Sequence, residues 1–244
     1  MPVLEWLFPA GVILAGYVVL GITGFGSALV LVPLLAQKWP LGEVVVLAIL
    51  VDIPASALHG GLNFAQVRWR ELARLIPGMA MGSCLGLGIM GQVDQRWLLM
   101  SLGIYVLAVG LRSLLPRARV APAPPHGAHV AGLLVGLVDV LFATAGPVVV
   151  AWLTRRTDDV AGLRATVPVV MVLAGALAVA VIGTTGQIDM AQLLPRWGMA
   201  LPIAGAGVLL GNRLASRIPS IWMKRFMGGL LAAAGLALAV RAWA

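Results

Sequence analysis

Apolar and polar positions alternate in long blocks along this chain. Eight hydrophobic stretches run roughly 10–36, 42–62, 72–91, 97–115, 129–153, 164–185, 193–212 and 222–241. Each is long enough for a helix that must cross a hydrocarbon core, which takes about 20 residues. Tryptophan favours the membrane–water interface, and Trp6, Trp39, Trp69, Trp97, Trp152, Trp197, Trp222 and Trp243 all fall at or just beyond the ends of these stretches. Two stretches are interrupted. The first carries Gly21-Ile-Thr-Gly-Phe-Gly-Ser27, and the fifth carries Ala143-Thr-Ala-Gly-Pro147. Each glycine costs a helix about 1 kcal/mol against alanine. A break at membrane depth exposes backbone that must be covered by protein or face a watery cavity. The competing reading, that the glycines only let helices pack closely, stands beside this one.

The two halves resemble each other. Pro77, Gly82, Gly86, Trp97, Gly103 and Gly110 recur 125 residues later as Pro202, Gly207, Gly211, Trp222, Gly228 and Gly235. Nearer the start the offset is 120, which pairs Gly16 with Gly136 and Gly26 with Gly146. A proline-rich segment with Pro122, Pro124, Pro125 and Gly127 separates the copies. The expected organisation is a first repeat at 1–115, a linker at 116–128 and a second repeat at 129–244. Interruptions at matching places in two halves are a sequence pointer to a transporter's binding site.

Composition narrows the class. The chain is 61% hydrophobic and 11% charged, with a mean hydropathy of +1.00, whereas soluble domains carry about 25% charged residues. A net charge of +8 does not point to nucleic acid, because no basic run or soluble domain carries it. The single cysteine, Cys84, excludes an intrachain disulfide. The start, Met1-Pro-Val-Leu-Glu-Trp6, lacks a positive signal-peptide region, so the first apolar segment is expected to be retained. Charge also selects a topology. If all eight stretches cross once, the positive residues divide 8 against 9. If the first and fifth each fold back as a re-entrant hairpin, or as two short spans, 13 of the 17 lie on one side, as the positive-inside rule prefers. The expectation is an all-α polytopic protein of two inverted repeats, each a glycine-broken hairpin plus three transmembrane helices, with both termini outside. Arms of about 12 residues, reaching about 18 Å, favour the hairpin.

Candidate chemistry follows from the breaks. A helix N-terminus attracts anions through its free N–H groups and its dipole. Thr23, Gly24, Phe25, Gly26 and Ser27, with Thr144, Ala145, Gly146 and Pro147, are therefore the expected substrate-binding residues for one small-anion site shared by both tips. Ionisable groups at membrane depth are expensive and tend to be functional, which marks Asp52, His59 and Asp139 as coupling or gating candidates, with protons as a possible coupling ion. For Asp52 the alternative is a carboxylate satisfied by nearby backbone or hydroxyls. Arg164 either attracts an anion at the cytoplasmic mouth or anchors the span. The sequence contains no nucleotide-binding loop, zinc helix or nucleophile elbow, so no cofactor, metal or catalytic group is expected. The open alternatives are a voltage-driven uniporter or channel, a membrane-embedded enzyme using Asp52 and His59, and a non-transporting assembly partner.

The joint order of several segments resembles the TauE/SafE family, the sulfite exporter family of bacterial membrane proteins. In the first half these are Gly24-Phe-Gly-Ser27 through Val32-Pro33, Asp52-Ile-Pro54 and Arg68-Trp-Arg-Glu-Leu72. In the second they are Ala145-Gly-Pro147, Arg164-Ala-Thr166 and Leu210-Gly-Asn-Arg-Leu-Ala-Ser-Arg217. The resemblance implies secondary transport of small sulfur-containing or carboxylated anions, such as sulfite or sulfonates, across the inner membrane; an exporter acting as a monomer or homodimer is the expectation, with another organic anion left open as substrate. One departure is visible: the family's triple-glycine character is reduced here to Gly24-Phe-Gly26 and Thr144-Ala-Gly146.

Overall fold

The computed structural model describes residues 3–60, 64–115, 124, 126–157, 159–185, 190–215, 228–229, 231–238 and 240. Most of the expected linker, together with Trp222, Trp243 and Asp158, lies outside the described residues. Those residues form α1 (Val3–Thr23), α2 (Ser27–Leu35), α3 (Leu41–Gly60), a 3-10 turn (Phe64–Gln66), α4 (Trp69–Gln92), α5 (Gln95–Leu114), α6 (Gly127–Phe142), α7 (Gly146–Leu153), α8 (Val160–Gly183) and α9 (Met190–Ala215). Helix continues at 228–229, 231–238 and 240, and no strand occurs among the described residues. Five helices are long and apolar enough to cross a membrane, at Trp6–Thr23, Leu41–His59, Trp69–Gln92, Ala165–Gly183 and Leu193–Ala215, with a shorter apolar helix at Gly127–Phe142. The protein is an all-helical, polytopic membrane protein.

Both interruptions are real chain reversals. Thr23 ends α1 and Ser27 begins α2. A Cβ built on Gly16 would lie 2.9 Å from the Ser27 carbonyl oxygen and 3.7 Å from Leu31 Cβ, so α2 returns along α1. Phe142 ends α6 and Gly146 begins α7, and a Cβ on Gly127 would come within 3.1 Å of the Trp152 ring, so α7 returns along α6. The arms are unequal, unlike the expected pairs of about 12 residues. The lead-in helices have 21 and 16 residues, and the returns only 9 and 8. Glu5 and Trp6 lower the local hydropathy without ending a helix, so an apolar count under-reads the first arm. The match of Gly26 with Gly146 is also one residue off the helix boundaries, because Gly26 caps α2 whereas Ala145 caps α7. The two glycines meet different needs. Gly26 supplies a φ of 95°, and Gly146 admits the Phe25 side chain, whose Cβ lies 3.0 Å from where a Cβ on Gly146 would be.

Glycine faces set the helix pairing. On α4, Gly78, Gly82 and Gly86 lie against His129, Leu133, Leu137 and Val140 of α6, and Gly132 and Gly136 of α6 lie against Leu75, Met79 and Ser83. A Cβ on Gly82 would sit 2.0 Å from the Leu133 carbonyl oxygen, so backbone rests on backbone. The α1–α9 crossing repeats this pattern. Gly21 meets Val208 and Gly211, and Gly207 meets Leu14 and Tyr17. The Gly82 and Gly86 pair and the Gly207 and Gly211 pair are thus packing faces, the role small residues serve between membrane helices. Gly110 meets Gly228 and Leu231, while Gly235 meets Gly103 and Leu107. In the middle α3 lies against α8, with Ile49 and Ile53 around Gly175. Pro54 does not interrupt α3, which is continuous from Leu41 to Gly60.

Candidate functional site

Two glycines with left-handed backbone, Gly24 (φ 83°) and Gly26 (φ 95°), turn the chain between α1 and α2. The Gly24 N–H donates to Leu20 O at 2.7 Å and closes the end of α1. The Thr23 hydroxyl shares its one hydrogen between Val19 O and Phe25 O, so it is spent on holding the turn. At the second break Ala143 adopts φ 55°, a conformation that costs a side-chain-bearing residue about 1–2 kcal/mol, and its N–H donates to Asp139 O at 2.7 Å. Ala143, Thr144 and Ala145 are all buried. Their burial arises partly from Tyr105, whose hydroxyl donates to Thr144 O at 2.9 Å.

The two return helices both begin beside a carboxylate. Ser27 Oγ, at the first residue of α2, donates to Asp52 Oδ1 at 2.7 Å. The Ala145 N–H, at the cap of α7, donates to the Asp139 carboxylate, which is in turn within electrostatic reach of Asp52. Both aspartates are buried. Positive helix ends thereby face internal negative groups, an arrangement that stabilises a buried carboxylate. Two hydroxyls nearby lack partners. The fully buried Tyr17 turns its hydroxyl toward Asp52, without meeting the geometry of a hydrogen bond among the described residues, and Thr144 Oγ1 has no partner among them either. Buried, unpartnered polar atoms are uncommon in native proteins.

A cavity of about 340 Å³ opens beside the first break, lined by residues of α1 and the turn (Gly21–Phe25), by His59, and by Val150, Leu163, Val167, Asn212 and Ala215. Within it His59 Nδ1 and Asn212 Oδ1 are 2.9 Å apart. The structure therefore brings Thr23, Gly24, Phe25 and His59 together around one space and seats Phe25 on Gly146 of the other break. Gly26, Ser27, Thr144, Ala145, Gly146, Pro147, Asp52 and Asp139 lie outside the cavity lining. Arg164 is on the first turns of α8, and its side chain is outside the described residues. Asn212 was missed by the sequence reading. It lies in the Leu210-Gly-Asn-Arg run, but an amide at the end of an apolar span reads as an ordinary interfacial residue.

Ion pairs hold the two ends of the bundle. At the cavity end, Arg68 pairs with Asp159 at 3.3 Å, and Glu71 accepts from Arg74 at 2.8 Å and from Arg156 at 3.0 Å. The hydrogen bond to Glu71 raises the Arg156 pKa above its ordinary value, so that guanidinium stays charged. The Arg68 N–H donates to Thr166 Oγ1 at 3.0 Å, tying α4 to α8. At the opposite end Arg196 pairs with Glu43 and lies over the Trp39 ring, 4.7 Å from its centroid. Trp197 Nε1 donates to Leu50 O at 3.1 Å.

Comparison with known proteins matches this chain to one family. The model of the family described as "Sulfite exporter TauE/SafE" matches residues 8–238. The chain is 54% identical, over 198 residues, to the "Probable inner membrane transporter protein TsaS" of Comamonas testosteroni, covering 81% of this chain and 83% of that protein. No solved structure matches the chain. With a family match over most of its length, and with membrane-crossing helices broken at two facing tips, the chain belongs to the TauE/SafE family and is a multi-pass membrane transporter, not an enzyme.

Proposed function

We propose that the protein is a secondary transporter of small sulfur-containing or organic anions, sulfite and sulfonates among them, across the bacterial inner membrane. The observation that carries this reading is the meeting of the two chain reversals, Phe25 against Gly146, with a cavity reaching the first of them. The substrate site comprises Thr23, Gly24, Phe25, Gly26 and Ser27 with Thr144, Ala145, Gly146 and Pro147. The two helix N-termini are held by Asp52 and Asp139. A carboxylate that takes up a proton there releases N–H and hydroxyl donors for the transported anion, which favours proton coupling over simple uniport. His59 and Arg164 guard the cavity end.

The same reading makes residues 1–115 and 129–244 inverted repeats joined by 116–128. The reciprocal contacts Gly110–Gly228 and Gly235–Gly103 support it, since a two-fold relation requires each residue to meet its partner's counterpart. The pairing of α4 with α6 and of α1 with α9 supports it too. The positive residues then lie inside and both termini outside. An inside-negative potential of 100 mV supplies about 2.3 kcal/mol per charge for anion export.

The test is flux of labelled sulfite in proteoliposomes, with sulfonates and carboxylates as competitors, under imposed pH gradients and voltages. Flux that follows the proton gradient in the wild type and is lost in Asp52→Asn is the expected result. Flux set by voltage alone, with the variant active, removes the coupling role. Absence of flux for every anion removes the transport assignment to these substrates.

A further inference from the structure

We propose that Asn212 is a positioning residue that fixes the His59 imidazole so that its Nε2 meets the transported anion in the cavity beside Gly24. The inference rests on the transport reading above. Asn212 Oδ1 faces His59 Nδ1 at 2.9 Å, and an amide oxygen only accepts hydrogen bonds. Nδ1 therefore carries the hydrogen, and Nε2 is the atom at which the ring gains its second proton. Nε2 faces the first chain reversal, 3.2 Å from where a Cβ on Gly24 would stand. A side chain there would fill the gap between ring and turn. Glycine keeps it open.

The rest of the lining leaves few other hands for an anion. Ile22, Phe25, Val150, Leu163, Val167 and Ala215 are apolar, and the Thr23 hydroxyl is turned onto backbone carbonyls. Among the described residues that line the cavity, His59 is the ionisable one. Charged groups at the same end are the Arg68–Asp159 pair, the Glu71–Arg74–Arg156 cluster, Arg213 next to Asn212 on α9, and Arg164 on α8. The Arg68–Asp159 and Glu71–Arg74–Arg156 groups pair with one another, and the imidazole, when doubly protonated, brings a positive charge and an N–H to the cavity. Nothing in the sequence reading gave Asn212 this role.

The experiment measures sulfite flux in proteoliposomes from about pH 5.5 to 8 for the wild type, Asn212→Leu, Asn212→Asp and His59→Gln, with the ¹⁵N shifts of His59 as a second readout. Asn212→Leu is expected to raise KM about tenfold with the maximal rate within about twofold, as befits loss of one hydrogen bond to a charged group. Its His59 resonances should pass from one tautomer to a mixture. Asn212→Asp restores an acceptor and should keep KM near the wild type, with the alkaline limb of the profile, where the imidazolium is lost, moved to higher pH. His59→Gln should flatten that limb. Wild-type KM and pH profile in both Asn212→Leu and His59→Gln would overturn the inference while leaving transport standing. If Asn212→Leu does not insert, Asn212→Asp and His59→Gln decide on the same criteria. Absence of wild-type flux for every anion defeats the transport reading itself, and with it this inference.

Discussion

The two chain reversals share a topology and differ in almost everything else. The first is Gly24-Phe25-Gly26, with two left-handed glycines beside a cavity and an imidazole. The second is Ala143-Thr144-Ala145, with one left-handed alanine, buried on all sides and tied to α5 by Tyr105. Glycine can change φ at little cost, so the first reversal has conformational freedom that the second lacks. Pro147 adds to the contrast, since it has no N–H and removes one of the donors that the end of α7 would otherwise offer. The pair reads as a movable tip working against a fixed one.

The largest expected effect comes from destroying the mobility of the first tip. Gly24→Leu forces a side chain into φ 83° and toward the His59 ring. Sulfite flux should fall more than about 100-fold while the purified protein keeps its elution volume and helical circular dichroism; retained flux would show that the tip does not need to move. Next in size is Gly146→Val, which pushes on Phe25. It should lower flux about tenfold, and the double variant Phe25→Gly with Gly146→Val should recover part of it, because the collision is with the Phe25 Cβ and ring. An additive double variant would mean that the tips do not work through this contact.

The strained backbone of the second tip should respond in stability. Ala143→Gly relieves a left-handed alanine and should raise stability by about 1 kcal/mol, seen as a higher melting temperature in detergent with flux unchanged. A drop in stability would show that the entropy of glycine outweighs the relieved strain. The smallest effect is expected from Thr144→Val. Removing a buried hydroxyl that lacks a partner should leave stability within about 1 kcal/mol of the wild type or slightly above it. Flux should fall slightly, since Thr144 belongs to the proposed substrate site; flux at the wild-type level would remove its hydroxyl from that site.

Much of this contrast was legible in the residues. Three glycines in six positions marked the first reversal, and Asp52 and His59 stood out as ionisable groups in apolar stretches. Asp139 was visible for the same reason. Helix-packing glycines at 82, 86, 207 and 211 were separable from turn glycines because their spacing of four follows one helix face. Three things were not legible. The arm lengths were hidden because helices continue through polar residues such as Glu5. The bond from Ser27 to Asp52 spans 25 positions and depends on how α2 folds back. Asn212 could not be chosen without knowing that the end of α9 stands beside the end of α3, since position along a helix says nothing about which neighbour it meets.

The glycine crossings carry a mechanical consequence. Where α4 meets α6 and α1 meets α9, carbonyl oxygens rest directly on glycine backbone, leaving no compliant side-chain layer to slide through. Each crossing joins a helix from one half of the sequence to a helix from the other. The tightest contacts therefore do not follow the sequence halves but form two mixed pairs, α1 with α9 and α4 with α6. Between them, α3 meets α8 through the isoleucine side chains around Gly175, a seam that can shear by changing rotamers. A transport cycle would open and close along that seam, carrying Asp52 with one wall and Asp139 with the other.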